Sequence, residues 1–214
     1  EWFLKGKTRI AEGATFLVSD VVRSKPSEKG IVRSFFYSVT DLEAHVTLLE
    51  GSHPAPVTVP QSGQDPVKAP PEIGVLISEE AARTFALSVG DRVKFSPYWE
   101  ETLKSVSVTV AGVVRANNPE EEFWLGRSDA FGVTYHGSDT LTMFVPEDTF
   151  FQGVGRLFPR MLADYIWLLY VDPSRINAAN GDAALSGVIK LREDLGTVLP
   201  SSRRTTTLEQ ALTD

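Results

Sequence analysis

Residues 105–114 read Ser-Val-Ser-Val-Thr-Val-Ala-Gly-Val-Val. Val106, Val108 and Val110 alternate with Ser107 and Thr109. A period of two puts the valines on one face of a pleated strand and the hydroxyls on the other. A strand that is apolar on one side only has one face on a core and one in water. This segment commits the middle of the chain to β structure. The residues before it agree. Residues 74–78 form a short apolar strand. Ser78 is an N-cap candidate, and Glu79 and Glu80 suit the positive end of a short helix that ends near Leu87. Residues 88–91, with Gly90 and Asp91, make a turn, and Val93 and Phe95 then alternate with Arg92 and Lys94. Residues 98–104 join that strand to 105–114 as a hairpin. Residues 139–146 read as a further strand, followed by a short helix or turn.

The flanks have a different texture. Residues 14–22 and 31–39 are rich in β-branched and aromatic residues and predict strands, with a polar loop between them. Thr40 with Glu43 fits a capping box, and Leu42, Val46 and Leu49 fall on one helical face, so 40–51 predicts a helix ended by Gly51. Six prolines between 54 and 72 interrupt any regular element and mark a boundary. Residues 165–172 predict a buried strand. Leu185, Val188, Ile189, Leu195 and Leu199 lie on one stripe of a helix within 176–199, and 207–214 reads as the start of another. The expected architecture is α+β. A discontinuous α/β domain (1–53 plus 160–214) carries an inserted β-rich subdomain (54–159), whose opening loop is the Pro-rich segment 54–72.

Composition narrows the function. The 214 residues carry a formal charge of −7 and no cysteine. An acidic balance argues against nucleic acid, whose binding needs Lys and Arg on phosphates. It argues in the same direction, more weakly, against anionic lipid bound through basic patches. Without cysteine there is no cysteine nucleophile, iron–sulfur cluster or cysteine zinc site. His45, His53 and His136 share no compact ligand spacing. Ser128 lacks the second glycine of a nucleophile elbow, and no Walker A sequence occurs. The expectation is therefore no catalytic residue, no metal and no cofactor. Glu120, Glu121 and Glu122 stand beside Phe123 and Trp124, beyond one end of the central strand, and Tyr98 and Trp99 precede its other end. These four rings are the candidate partner contacts, because aromatic residues are enriched at interfaces. Core packing would explain them equally well. The chain starts at Glu1 rather than Met and carries no signal peptide, which reads as an excised fragment or a processed product; no run approaches roughly 18 apolar residues, so if the protein belongs to a membrane its spanning segments lie outside this chain.

The order of short motifs resembles one family. The sequences Leu-Leu-Glu-Gly-Ser-His-Pro (48–54), 74–95 with its Val-Gly-Asp turn, Ser-Val-Thr-Val-Ala-Gly-Val-Val (107–114), Thr-Met-Phe-Val-Pro (142–146) and Tyr-Ile-Trp-Leu-Leu-Tyr-Val-Asp (165–172) run in the order found in the extracytoplasmic domain of FtsX-like, MacB-type ABC transporter permeases. The likeness covers roughly residues 45–195. Ser52 stands where that family often has arginine. The resemblance implies a porter-like domain of βα-type halves with an inserted β-rich part, no enzymatic activity and no cofactor. It implies a place on the outer side of the cell membrane, periplasmic or at the cell surface. It also implies transmembrane segments outside this chain, a cytoplasmic ATPase domain or subunit, an adaptor or lipoprotein partner and a dimer in the full transporter. The domain would couple ATP-driven motion of the membrane helices to an exported substrate or an outside partner. Two other classes fit the residues: a small β-barrel enzyme or ligand-binding protein, since a Gly-Asp turn also introduces strands in such barrels, and a secreted interaction module.

Overall fold

The computed structural model describes residues 2–22, 30–31, 33–59, 72–99, 105–124, 127–135, 138–203 and 205–206. Its elements are β1 (Leu4–Gly13), β2 (Phe16–Val22), β3 (Arg33–Val39), α1 (Leu42–His45), β4 (Val46–Gly51), β5 (Ile73–Ser78), α2 (Glu79–Phe85), β6 (Arg92–Pro97), β7 (Val106–Ala116), β8 (Thr134–Tyr135) and β9 (Ser138–Phe144). A π-helix (Thr149–Val154) then runs into α3 (Gly155–Leu157), and β10 (Ala163–Val171) and α4 (Gly181–Val198) follow. The mixture of helix and strand is as expected, with strands dominating and few helices. No helix among the described residues is long and apolar enough to cross a membrane.

The chain divides into two compact units, one of residues 1–7 with 168–214 and one of residues 8–167. In the larger unit six strands close a barrel in the order β3-β2-β6-β7-β5-β9, with β3 pairing back to β9 in parallel. The units therefore fall elsewhere than the expected division into 1–53 plus 160–214 and 54–159. The reason lies in the pairing. β2 pairs with β6, β3 with β9 and β4 with β7, so strands from before residue 54 complete a sheet whose other strands follow it.

The period-two segments fold as their pattern requires. In β7, Val106, Val108 and Val110 are buried while Ser107 is exposed. β6 pairs antiparallel with β7, Val93 opposite Val108. Ser78 caps α2, its hydroxyl accepting the Ala81 amide at 3.0 Å. Helix α2 ends at Ala86 in the left-handed region, and the Asp91 carboxylate accepts the Ser88 amide at 2.8 Å to fix the turn. The barrel interior is filled by side chains. Phe16 is its centre, with ring centroids 4.9 Å from Phe95, 5.0 Å from Phe158 and 5.6 Å from Phe36.

The expected helix over 40–51 is a correction. Only one turn, α1, forms. Thr40 does not cap it; its hydroxyl donates instead to the Arg9 carbonyl, and Asp41 turns the chain at φ 62°. From Val46 onward the chain is strand β4, with Val46 opposite Ala116 and Gly51 opposite Gly112. Val46 and Thr47 are β-branched and suit a strand better than a helix. Strand β1 was not foreseen. Its alternation of exposed Lys5, Lys7 and Arg9 with buried Thr8 and Ile10 is interrupted by Gly6 and Ala11.

In the smaller unit the Phe3 carbonyl accepts the Asp172 amide at 2.7 Å, and Asp172 caps the turn 173–175 by accepting from Ser174. Helix α4 falls within 176–199, as expected. Of its own residues only Ala184 is buried, and the predicted stripe at Leu185, Val188, Ile189 and Leu195 is half-buried. The expected helix start at 207–214 lies outside the described residues.

Tyr37, on β3, is 3 % exposed and packs edge-on to Phe144. Burial pushes its phenol up to about 12, the nearby Arg127 opposing this and Glu12 adding to it. An unfolded chain gives up that proton near pH 10. Between pH 10 and 12 the unfolded state is therefore deprotonated while the folded state is not, and stability falls as pH rises. The expected loss from this group is about 2–3 kcal/mol by the upper end of that window and nil below its lower end. In an alkaline titration followed by phenolate absorbance, one of the five tyrosines should ionise late. In Tyr37→Phe this late step disappears and the slope of stability against pH flattens.

Candidate functional site

The larger unit carries a cleft of about 190 Å³. Its floor comes from β1 (Arg9, Ile10, Ala11) and the end of β3 (Ser38), and its walls from Glu147, Phe151 and the β10 residues Tyr165, Ile166 and Trp167. Each wall has a local cause. In β10, side chains alternate, so Tyr165 and Trp167 share one face and are 53 % and 54 % exposed. Residues 149–154 form a π-helix, a wide and uncommon turn that recurs at functional sites. It sends Phe150 inward, 1 % exposed, and Phe151 outward, 40 % exposed. Phe151 then stacks on Tyr165, centroids 5.5 Å apart and planes at 14°.

The wide turn is held from behind. Thr149 is 1 % exposed and its hydroxyl accepts the Val57 amide at 2.9 Å. The Gln152 carbonyl accepts the Val59 amide at 2.8 Å, and Arg156 donates to the Val59 carbonyl. Gly153 is required here, because a Cβ would sit 2.9 Å from the Val57 carbonyl oxygen. Residues 57–59, within the described part of the Pro-rich segment, thus fix the helix that presents Phe151.

The polar part of the cleft is an ion pair. Arg9 Nη2 lies 2.7 Å from Glu147 Oε2, and Arg9 Nε donates to Thr40 Oγ1 at 3.4 Å. Both side chains keep contact with water, 47 % and 35 % exposed, so the pair is worth at most about 1 kcal/mol to folding. Rings on two sides with one accessible ion pair make a surface able to hold an apolar side chain and to discriminate charge. It offers no nucleophile with an adjacent base.

The four aromatic candidates from the sequence lie apart from this cleft and do not come together. Tyr98 follows β6 and is 64 % exposed. Trp99 is half-buried against Phe16, centroids 5.0 Å apart. Phe123 and Trp124 follow the opposite end of β7 and are 8 % and 2 % exposed. Phe123 stacks on the His45 ring at 3.5 Å and 9°, and Trp124 Nε1 donates to the Asn118 carbonyl at 3.0 Å. Core packing, the alternative reading, describes Phe123 and Trp124. A strand of eleven residues is about 36 Å long, which keeps the two pairs separate.

His45 Nδ1 is 3.0 Å from Glu121, and His53 Nδ1 is 3.5 Å from Glu43. His136 lies outside the described residues. Ser128 opens a short 3₁₀ turn. Among the described residues no group of three His, Cys, Asp or Glu is placed to hold a metal ion.

The cleft escaped the sequence because 165–172 reads as one apolar run, and a run apolar on both sides predicts a strand buried on both sides. In the structure one face of β10 is open, so the expectation of a buried strand is corrected. The available signal was the pair Tyr165 and Trp167 at i and i+2. No family model matches this chain, and no curated protein is similar to it.

Proposed function

We propose that this chain is the extracytoplasmic domain of an ABC transporter permease of the FtsX-like, MacB type. One observation carries the reading beyond the motif order: the first residues, 1–7, and the last stretch, 168–214, belong to the same compact unit, and 8–167 form the other. A domain held between two membrane helices needs its incoming and outgoing chain in one unit, so that helix motion reaches it as a rigid-body displacement. In this reading the smaller unit is part of a porter-like α/β domain, and the barrel is the inserted part. Transmembrane segments outside the chain hold it on the outer side of the membrane. A separate ATPase hydrolyses ATP, and the chain itself carries no catalysis. It works as a dimer in the transporter and passes the motion to an adaptor, a lipoprotein or an exported molecule.

The test is to express the complete gene product and purify it from detergent-solubilised membranes. Apolar spans on both sides of this segment and a co-purifying nucleotide-binding ATPase are the expected result. A product that lacks such spans and stays in the soluble fraction overturns the reading.

The closed six-strand barrel favours a second reading, a small barrel protein that binds a ligand. Phe16, Phe36, Phe95, Leu141 and Met143 fill the interior, so a ligand would sit outside the lumen.

A further inference from the structure

We propose that the cleft and the open edge of β10 together dock an extended peptide of a partner protein, one that presents a bulky apolar side chain flanked by Lys or Arg. The edge comes first. β10 is an end strand of its sheet, with β1 on one side and, among the described residues, no strand on the other. Exposed edges are ordinarily blunted by proline, lysine, a bulge or shortness. Residues 163–167, Ala-Asp-Tyr-Ile-Trp, contain no proline, glycine or lysine. A peptide that adds here makes main-chain hydrogen bonds, and its alternate side chains rise beside Tyr165 and Trp167.

The cleft then selects one of those side chains. About 190 Å³ is the size of one large apolar side chain and falls below the roughly 300 Å³ at which small-molecule pockets begin. Its walls are rings, which reward an apolar occupant. Charge decides the flanks. Among the lining residues and their chain neighbours, Glu12, Glu147, Asp148 and Asp164 are acidic and only Arg9 is basic. Arg9 is already bound to Glu147 at 2.7 Å and Glu12 lies 3.9 Å from Arg127, so the charge left over comes from Asp148 and Asp164, which adjoin the lining residues in sequence. Basic flanks complement it, and acidic flanks are repelled.

Area argues against a second copy of this chain as the occupant. Three rings at about half exposure offer roughly 300 Å², against about 800 Å² per partner in a stable interface. A short peptide needs no more than the cleft and edge provide. The inference does not rest on the permease reading, and the purification above can fail without touching it.

The probe is the heptapeptide Lys-Val-Lys-Leu-Lys-Val-Lys, blocked at both ends, with Glu-Val-Glu-Leu-Glu-Val-Glu as its counterpart. The expected result is slowed amide hydrogen exchange at 163–167 with the lysine peptide and none with the glutamate peptide, weakening as salt is raised. Trp167→Ala and Phe151→Ala should each weaken binding about tenfold while leaving thermal unfolding nearly unchanged, since both side chains are substantially exposed. The proposal is overturned if neither peptide slows exchange there, or both do so equally. It is also overturned if protection maps to another segment, or appears without peptide as protein concentration rises, which would make the occupant a second copy.

Discussion

Phe16→Ala is expected to cost about 3–5 kcal/mol of folding stability, enough to unfold much of a marginally stable domain. Phe16 is fully buried and opens β2. Its ring meets Phe36, Phe95, Trp99 and Phe158, all within 5.6 Å centroid to centroid. These partners come from β3, β6, the turn after β6 and the segment following α3. No single neighbour can collapse into the space without moving its own strand, so the cavity stays open and its cost adds to the lost burial. Phe16→Leu keeps most of the volume and should cost about 1–1.5 kcal/mol. Urea unfolding of the two variants reads the difference. Equal, small losses would show that the barrel interior is loosely packed.

Gly51→Ala is the second large effect. Gly51 ends β4 at φ +81°, a conformation that side chains disfavour. An added Cβ would strike the Ala111 carbonyl oxygen and come within 2.9 Å of the Gly112 Cα and of Val89 Cγ2. The first two are backbone atoms of the paired strand, so β7 itself must move. The same Ala111 carbonyl accepts the Ser52 amide at 2.9 Å, and that bond would be lost with the shift. Conformational strain and collision together predict a loss of about 3 kcal/mol or more. Gly90→Ala separates the two causes. Gly90 also has positive φ, +91°, but its Cβ would meet open space, so only the backbone strain of about 1–2 kcal/mol is expected. A chemical-denaturation midpoint that falls much further for Gly51→Ala than for Gly90→Ala supports this account. Equal falls would remove the collision from it.

What the sequence reveals follows the range of the forces involved. β5, α2, β6 and β7 are legible because their signals are local: a cap at Ser78, a turn at Gly90 and Asp91, and valines at period two. The helix expected over 40–51 fails because Leu42, Val46 and Leu49 satisfy a helical period by coincidence, while pairing with β7 claims Val46 onward for a sheet. That partner lies far along the chain and leaves no trace in the local pattern. Among the aromatic candidates, neighbouring residues part company: Tyr98 is exposed and Trp99 packs on Phe16. The cleft is the least legible feature. Arg9 and Glu147 meet only because β1 and the turn after β9 converge, and a residue type alone does not announce a partner so distant in sequence.

The parallel seam between β3 and β9 also sets the order of events at synthesis. Ser34 pairs with Leu141, and Phe36 with Met143. When a ribosome has delivered β3, its closing neighbour does not yet exist, and the hydrogen-bonding side of β3 waits while more than half of the remaining chain is made. Closing so long a loop costs entropy before any contact returns it, which slows folding. The nascent chain is therefore exposed to intermolecular strand pairing until residue 144 has left the exit tunnel. Any variant that delays β9 lengthens that interval without altering the finished barrel.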